Sequence, residues 1–110
     1  MTDFELGWLV ALFEGEGNIC AMNSRTSFRG IEWRAQIKMT DEDVVRRLYN
    51  IVGIGHVTDR QPDSDRKHVW EWRCTRQEDL LAFLSLINPY LGERRRSKAQ
   101  ECLDDLIVTT

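Results

Sequence analysis

The chain is 110 residues long, which allows one domain with a real core and leaves no room for two. Hydrophobic residues make up 42% and charged residues 30%, the balance of a globular protein, which sets aside fibrous, low-complexity and disordered classes. The formal net charge of −3 excludes polyanion binding through overall positive charge, so a nucleic-acid partner has to be met by a local gathering of basic residues.

Thr2-Asp3-Phe4-Glu5 has the spacing of a capping box, with Thr2 at the N-cap and Glu5 three residues inside. This predicts a helix running to about Gly15. Its apolar run, Leu6 to Phe13, is too short to span a bilayer. Acidic flanks with no basic stretch ahead argue against a signal peptide. Gly7, Ala11 and Gly15 recur every four residues and line one smooth stripe. Such a stripe suits close approach, either of another helix or of the same chain. Glu14-Gly15-Glu16-Gly17 then stands at the helix exit. A helix C-terminus is negative and disfavours acids, and one glycine is enough to stop a helix. Unless the string is an ordinary surface turn, Glu14 or Glu16 answers to another need.

Two strands are predicted over residues 18–25 and 31–40, joined by a polar turn over 24–30. In the second, Trp33, Ala35, Ile37 and Met39 alternate with Glu32, Arg34, Gln36 and Lys38, the period of a sheet with one buried and one polar face. Thr40 is read as the cap of a second helix, with Asp41, Glu42 and Asp43 in its first turn. Val44, Val45, Leu48, Ile51 and Val52 give that helix an apolar stripe, and Gly53 ends it. A third strand covers 55–60, a charged loop 61–67, and a fourth strand 68–75, with Trp70, Trp72 and Cys74 inward and Glu71 and Arg73 outward. A third helix over 77–87 stops before Pro89. The last helix, 94–107, opens with Arg94, Arg95, Arg96 and Lys98, cations that a helix N-terminus disfavours without a partner anion. Cys20, Cys74 and Cys102 are too scattered for a disulfide framework or a zinc pattern and read as reduced residues of a cytosolic protein.

The predicted order is α-β-β-α-β-β-α-α. It makes an α+β domain: a four-stranded antiparallel sheet with helices on one face and the other face open.

Leu9-Val10-Ala11-Leu12-Phe13-Glu14-Gly15-Glu16-Gly17 resembles the signature of the LAGLIDADG homing endonucleases. Three further blocks match in order: Lys38-Met39-Thr40-Asp41, Gly53-Ile54-Gly55-His56-Val57 and Asn88-Pro89-Tyr90-Leu91. Together they cover nearly the whole chain. The resemblance implies an αββαββα core and a site-specific endonuclease that hydrolyses double-stranded DNA at a long, nearly palindromic target, in the service of intron or intein mobility. It implies a location inside the cell, in cytoplasm or organelle, and no secretion. One motif copy implies a homodimer through the Leu6–Gly15 helix, with Gly7, Trp8, Ala11, Leu12 and Gly15 at the contact.

The same resemblance implies a metal ligand at the motif's final acid, Glu16, with the backbone of Gly15 beside it, and Mg²⁺ as the ion, for which Mn²⁺ can substitute. Residues two apart on a helix do not share a face, so Glu14 and Glu16 should not serve the same ion. Glu14 takes the more structural position, and Gly17 lets the chain turn sharply. Asp41 falls where members order water near the metal, although Gln is common there; plain helix-start charge is the other reading. The basic active-site slot falls on Arg94 counted from Pro89, or on Arg95 counted back from Lys98-Ala99. The sheet face that the resemblance assigns to DNA carries Asn18, Cys20, Met22 and Ser24, then Glu32, Arg34, Gln36 and Lys38, then Thr58 and Arg60, then Glu71 and Arg73. Arg and Lys suit guanine edges, and Asn and Gln suit adenine. Arg25, Arg29, Arg66 and Lys67 lie in loops suited to phosphates. A DNA- or RNA-binding protein without cleavage, a regulator or an intron maturase, is the second reading. A domain that only dimerises through its first helix is the third, and it leaves the polar sheet face unexplained.

Overall fold

The computed structural model describes residues 1–26, 30–60 and 68–108. Its elements are α1 (Asp3–Glu16), β1 (Gly17–Asn23), β2 (Ile31–Met39), α2 (Glu42–Val52), β3 (His56–Arg60), β4 (Val69–Cys74), α3 (Gln77–Ile87), a 3₁₀ turn (Asn88–Tyr90) and α4 (Glu93–Val108). The strands form one antiparallel sheet in the order β1-β2-β4-β3. This is the expected α+β architecture. No helix among the described residues is long and apolar enough to cross a membrane.

Alternation along β2 and β4 turns Trp33, Ala35, Ile37, Trp72 and Cys74 toward the helices, where they are buried with Leu9 and Phe13 of α1, Val45 and Leu48 of α2, Leu80, Phe83 and Leu84 of α3, and Ala99, Cys102 and Leu106 of α4. Phe83 sits between Trp72, at 4.9 Å between ring centroids, and Phe13, at 5.4 Å edge to face. Both indole N–H groups find acceptors: Trp72 donates to Ile54 O at 2.9 Å and Trp33 to Asp105 Oδ2 at 2.7 Å, so their apolar bodies are buried with no orphaned donor.

The capping box forms as expected, with Glu5 N donating to Thr2 Oγ1 at 3.0 Å and Thr2 N to Glu5 Oε1 at 2.8 Å. Other local expectations are corrected. The helix includes Glu16, and β1 begins at the next residue with no loop. Gly17 has φ −78° and ψ 156°, ordinary extended backbone, so it does not turn the chain. Glycine is required there by space: a Cβ would lie 2.5 Å from the Phe13 ring and the Phe13 carbonyl oxygen. The cap of α2 is Asp41, not Thr40; its carboxylate makes no capping bond, and its carbonyl accepts from Val44 N and Val45 N at 3.2 and 3.3 Å. β1 ends at Asn23, two residues before the predicted limit.

Burial pushes the thiols of Cys74 and Cys102 up to about 12, with nearby carboxylates adding to the effect. Held protonated in the fold but ionising near 9 when exposed, they make stability fall as pH rises from about 9 to about 12. Replacing both by Ala should flatten that decline, as read from urea midpoints at pH 8 and pH 10.5. Gly17→Ala should cost about 1–3 kcal/mol, the scale of overpacking a tight contact, in the same urea titration.

Candidate functional site

The two glutamates of the helix exit have different surroundings. Glu14 reaches across to α4: its Oε1 accepts from Gly92 N at 2.5 Å, and its Oε2 lies 3.5 Å from Arg95 Nη1. Arg95 in turn donates from Nε and Nη2 to Gly17 O, at 3.3 and 2.9 Å. Gly92 immediately precedes α4, and its carbonyl accepts from Arg96 N at 2.8 Å. A carboxylate thus meets the positive start of α4, and a guanidinium meets the negative end of α1. Among the cations at the start of α4, Arg95 has an anion from α1.

Glu16 and Gly15 are exposed. Among the described residues Glu16 makes no hydrogen bond or ion pair, and Gly15 O belongs to the last helical turn, whose carbonyls run out of intrahelical donors. One exposed carboxylate at the negative end of a helix suits a hard cation. Among the described residues, however, no three His, Cys, Asp or Glu side chains are grouped to hold an ion.

Beside this exit lies a cleft of about 420 Å³, lined by Gly17, Asn18, Ile19, Arg94, Arg95, Ser97, Lys98 and Glu101. Of the two candidates for the basic slot, Arg95 is the one joined to the motif, while Arg94 lines the cleft exposed. Arg96 turns away, donating to Leu91 O at 3.0 Å. Lys98 also faces the cleft, 3.2 Å from Glu101 Oε2 and 5.4 Å over the Trp33 ring. Sequence reasoning missed it, although four residues from Arg94 and three from Arg95 put it on their face of the helix. Asp41 is exposed just past the end of β2, at the end of the sheet where β1 begins opposite Ile37.

The open face of the sheet has a definite register. Asn18 is opposite Gln36, Gln36 opposite Arg73, and Arg73 opposite His56, a polar row across all four strands. Lys38, Glu71 and Thr58 form the next row. Arg34 is paired with Glu32 at 3.0 Å, with Cys20 opposite Arg34 and Met22 opposite Glu32. His56 was missed as a face residue; its parity with Thr58 was the available signal. Glu71 is outward as predicted but only 1% exposed, covered by its neighbours on that face. Ser24 lies beyond β1, with its Oγ 3.2 Å from Thr26 Oγ1, and Arg25 is exposed. Arg29, Arg66, Lys67 and the side chain of Arg60 lie outside the described residues.

On α1, Gly7, Ala11 and Gly15 are exposed, and a Cβ added to Gly7 or Gly15 would meet nothing within 4 Å. The chain's own packing therefore does not use the small-residue stripe. Trp8 and Leu12 are half-buried against the core, and Arg47 lies 4.3 Å over the Trp8 ring. Tyr90, 61% exposed, lines a groove beside this stripe together with Leu6, Gly7, Val10 and Ala11.

Solved homing endonucleases share this fold. The structure of I-CvuI in complex with its target superposes with a TM-score of 0.76 at 18% identity, over 94% of this chain and 66% of that one. I-TnaI gives 0.74 at 20%, over 98% and 75%. The LAGLIDADG homing endonuclease I-SmaMI bound to cleaved DNA gives 0.73 at 16%, over 94% and 36%. The chain thus spans just under two thirds of the I-CvuI chain and about a third of the I-SmaMI chain. No protein-family model matches the sequence, and no curated protein is significantly similar to it.

Glu14→Gln leaves an oxygen to accept from Gly92 N but removes the charge from that bond and the ion pair to Arg95, and should cost about 1 kcal/mol in chemical denaturation. Glu16→Gln should fall within about 0.5 kcal/mol of the parent, as an exposed, unpartnered site does.

Proposed function

We propose that this chain is one half of a homodimeric, metal-dependent endonuclease that cuts double-stranded DNA at a specific, nearly palindromic site. The observation that carries the proposal is the exposed, unpartnered Glu16 at the end of a helix whose small-residue stripe is left open, next to a cationic cleft. Two copies joined along Gly7, Ala11 and Gly15 would bring two Glu16 carboxylates together, and two-fold symmetry would make the target nearly palindromic. The shared fold with DNA-bound homing endonucleases supports this reading.

Glu16 and the carbonyl of Gly15 would hold Mg²⁺, or Mn²⁺ in its place. When bound, the ion lowers the pKa of the attacking water and offsets charge building on the phosphate. Arg94 and Lys98 supply positive charge to the phosphate from the cleft, and Arg95 positions the helix end that carries Glu16. Asp41 orders water at the same end of the sheet. Asn18, Gln36, Lys38 and Arg73 meet base edges in the major groove, joined by Ser24, Arg34, Thr58 and Arg60. Arg25, Arg29, Arg66 and Lys67 meet phosphates. The partner is intracellular DNA.

A randomised duplex library incubated with Mg²⁺ tests the proposal. Recurrent cuts at one pseudo-palindromic sequence are expected, reduced about 10²–10³-fold in Glu16→Gln, the scale of losing a group that stabilises transition-state charge. Selective retention of a duplex without cutting by the parent protein would leave a binding protein on this fold. Gly7→Leu has room to fold as a monomer and should abolish dimerisation, read by sedimentation, together with cleavage.

A further inference from the structure

Glu71 is the one acidic residue buried among the described residues, at 1% exposure, and it lies on the sheet face away from the helices. β4 is an interior strand, so Glu71 is flanked on both sides, by Lys38 of β2 and Thr58 of β3. Its Oε1 is 2.7 Å from Nη2 of Arg73, two residues along the same strand, and its Oε2 is 3.5 Å from Nζ of Lys38. A carboxylate withdrawn from water is costly unless paired, and here one carboxylate serves two cations. Both belong to the face assigned to DNA bases.

The charge of Glu71 works against DNA affinity as such. It sits among the very cations that would meet the duplex, and it cancels part of their field. Its geometric effect is the opposite. Free Arg and Lys side chains lose much rotamer freedom on binding. Glu71 removes that freedom before DNA arrives, fixing where the guanidinium and the ammonium stand. The row beside it is set to use that order: Arg73 is opposite Gln36 on one side and His56 on the other, and Arg73 Nε and Gln36 Oε1 are buried with no hydrogen-bond partner among the described residues. A base edge on this face would give those atoms what they lack.

Resting on the DNA-binding reading above, we infer that Glu71 is a positioning residue for sequence discrimination, which holds Arg73 and Lys38 in register for base readout and lowers non-specific affinity while doing so. A residue that only stabilised the sheet would lose specific and random binding together when replaced. A positioning anion should separate them.

The test compares the selected target duplex with a random duplex of equal length, for the parent protein and Glu71→Gln, over a range of salt, with thermal unfolding followed alongside. Expected is a fall of about tenfold or more in the ratio of target to random affinity, the scale of one good base contact. Random-duplex binding should be unchanged or tighter, with a steeper salt dependence, because two cations are released to phosphates. Should Glu71→Gln not fold, Glu71→Asp keeps the anion in the sheet but draws it back by one methylene from Arg73 and Lys38, and should lower the ratio with random binding unchanged. An unchanged ratio in a folded variant, or equal loss of both affinities, overturns the inference. A parent protein that prefers no duplex overturns the DNA reading itself, which is a different outcome.

Discussion

The passage of α1 into β1 without a loop is the constraint on which the rest of the molecule depends. Glu16 ends the helix and Gly17 begins the strand, and there is no room between Gly17 and the Phe13 ring for even a methyl group. Phe13 is wholly buried against Phe83, so the junction is anchored in the core. Arg95 and Glu14 then tie the same few residues to the start of α4. Three features acquire fixed relations as a result: the open stripe on α1, the exposed carboxylate at its end, and the polar face that β1 begins. A flexible connection at this point would leave each intact and their relation undefined.

Charge is distributed to the same effect. The chain is acidic overall, yet its cations are assembled where anions of its own hold them: Arg95 by Glu14, Arg34 by Glu32, Arg73 and Lys38 by Glu71, Lys98 by Glu101. Most of these pairs are partly exposed and contribute little to stability one by one. Their common effect is order, since each shortens the list of positions a long basic side chain can take. Net charge was therefore a poor guide to what this surface can bind, and local pairing is a better one.

What the sequence disclosed follows the physics of each element. The capping box at Thr2 and Glu5, the period-two alternation of β2 and the stop before Pro89 are local, and all were legible. A four-stranded antiparallel sheet with one open face followed from patterning and the resemblance together, whereas its strand order, β1-β2-β4-β3, comes from the structure alone. Non-local facts were not legible. That Glu14 meets Gly92 depends on two residues 78 positions apart. Which of Arg94 and Arg95 lies against the body of the molecule depended on the side of α4 that packs inward, which two counting frames left open and the buried Ala99, four residues on from Arg95, marks. The burial of Glu71 came from side chains on both neighbouring strands, information that alternation alone does not hold. The reading of Gly17 failed for a related reason: glycine has two uses, freedom and smallness, and only the position of Phe13 tells them apart.

The two acids of the helix exit now separate on physical grounds. Both stand where the helix dipole opposes negative charge, at a cost of about 0.3–1 kcal/mol for an exposed group. Glu14 offsets that cost with the N–H of Gly92 and the guanidinium of Arg95. Glu16, exposed and two residues on, has no such compensation among the described residues. The two acids of one motif are thus set apart by reach: Glu14 extends to the start of α4, while Glu16 stays at the end of its own helix, open to solvent.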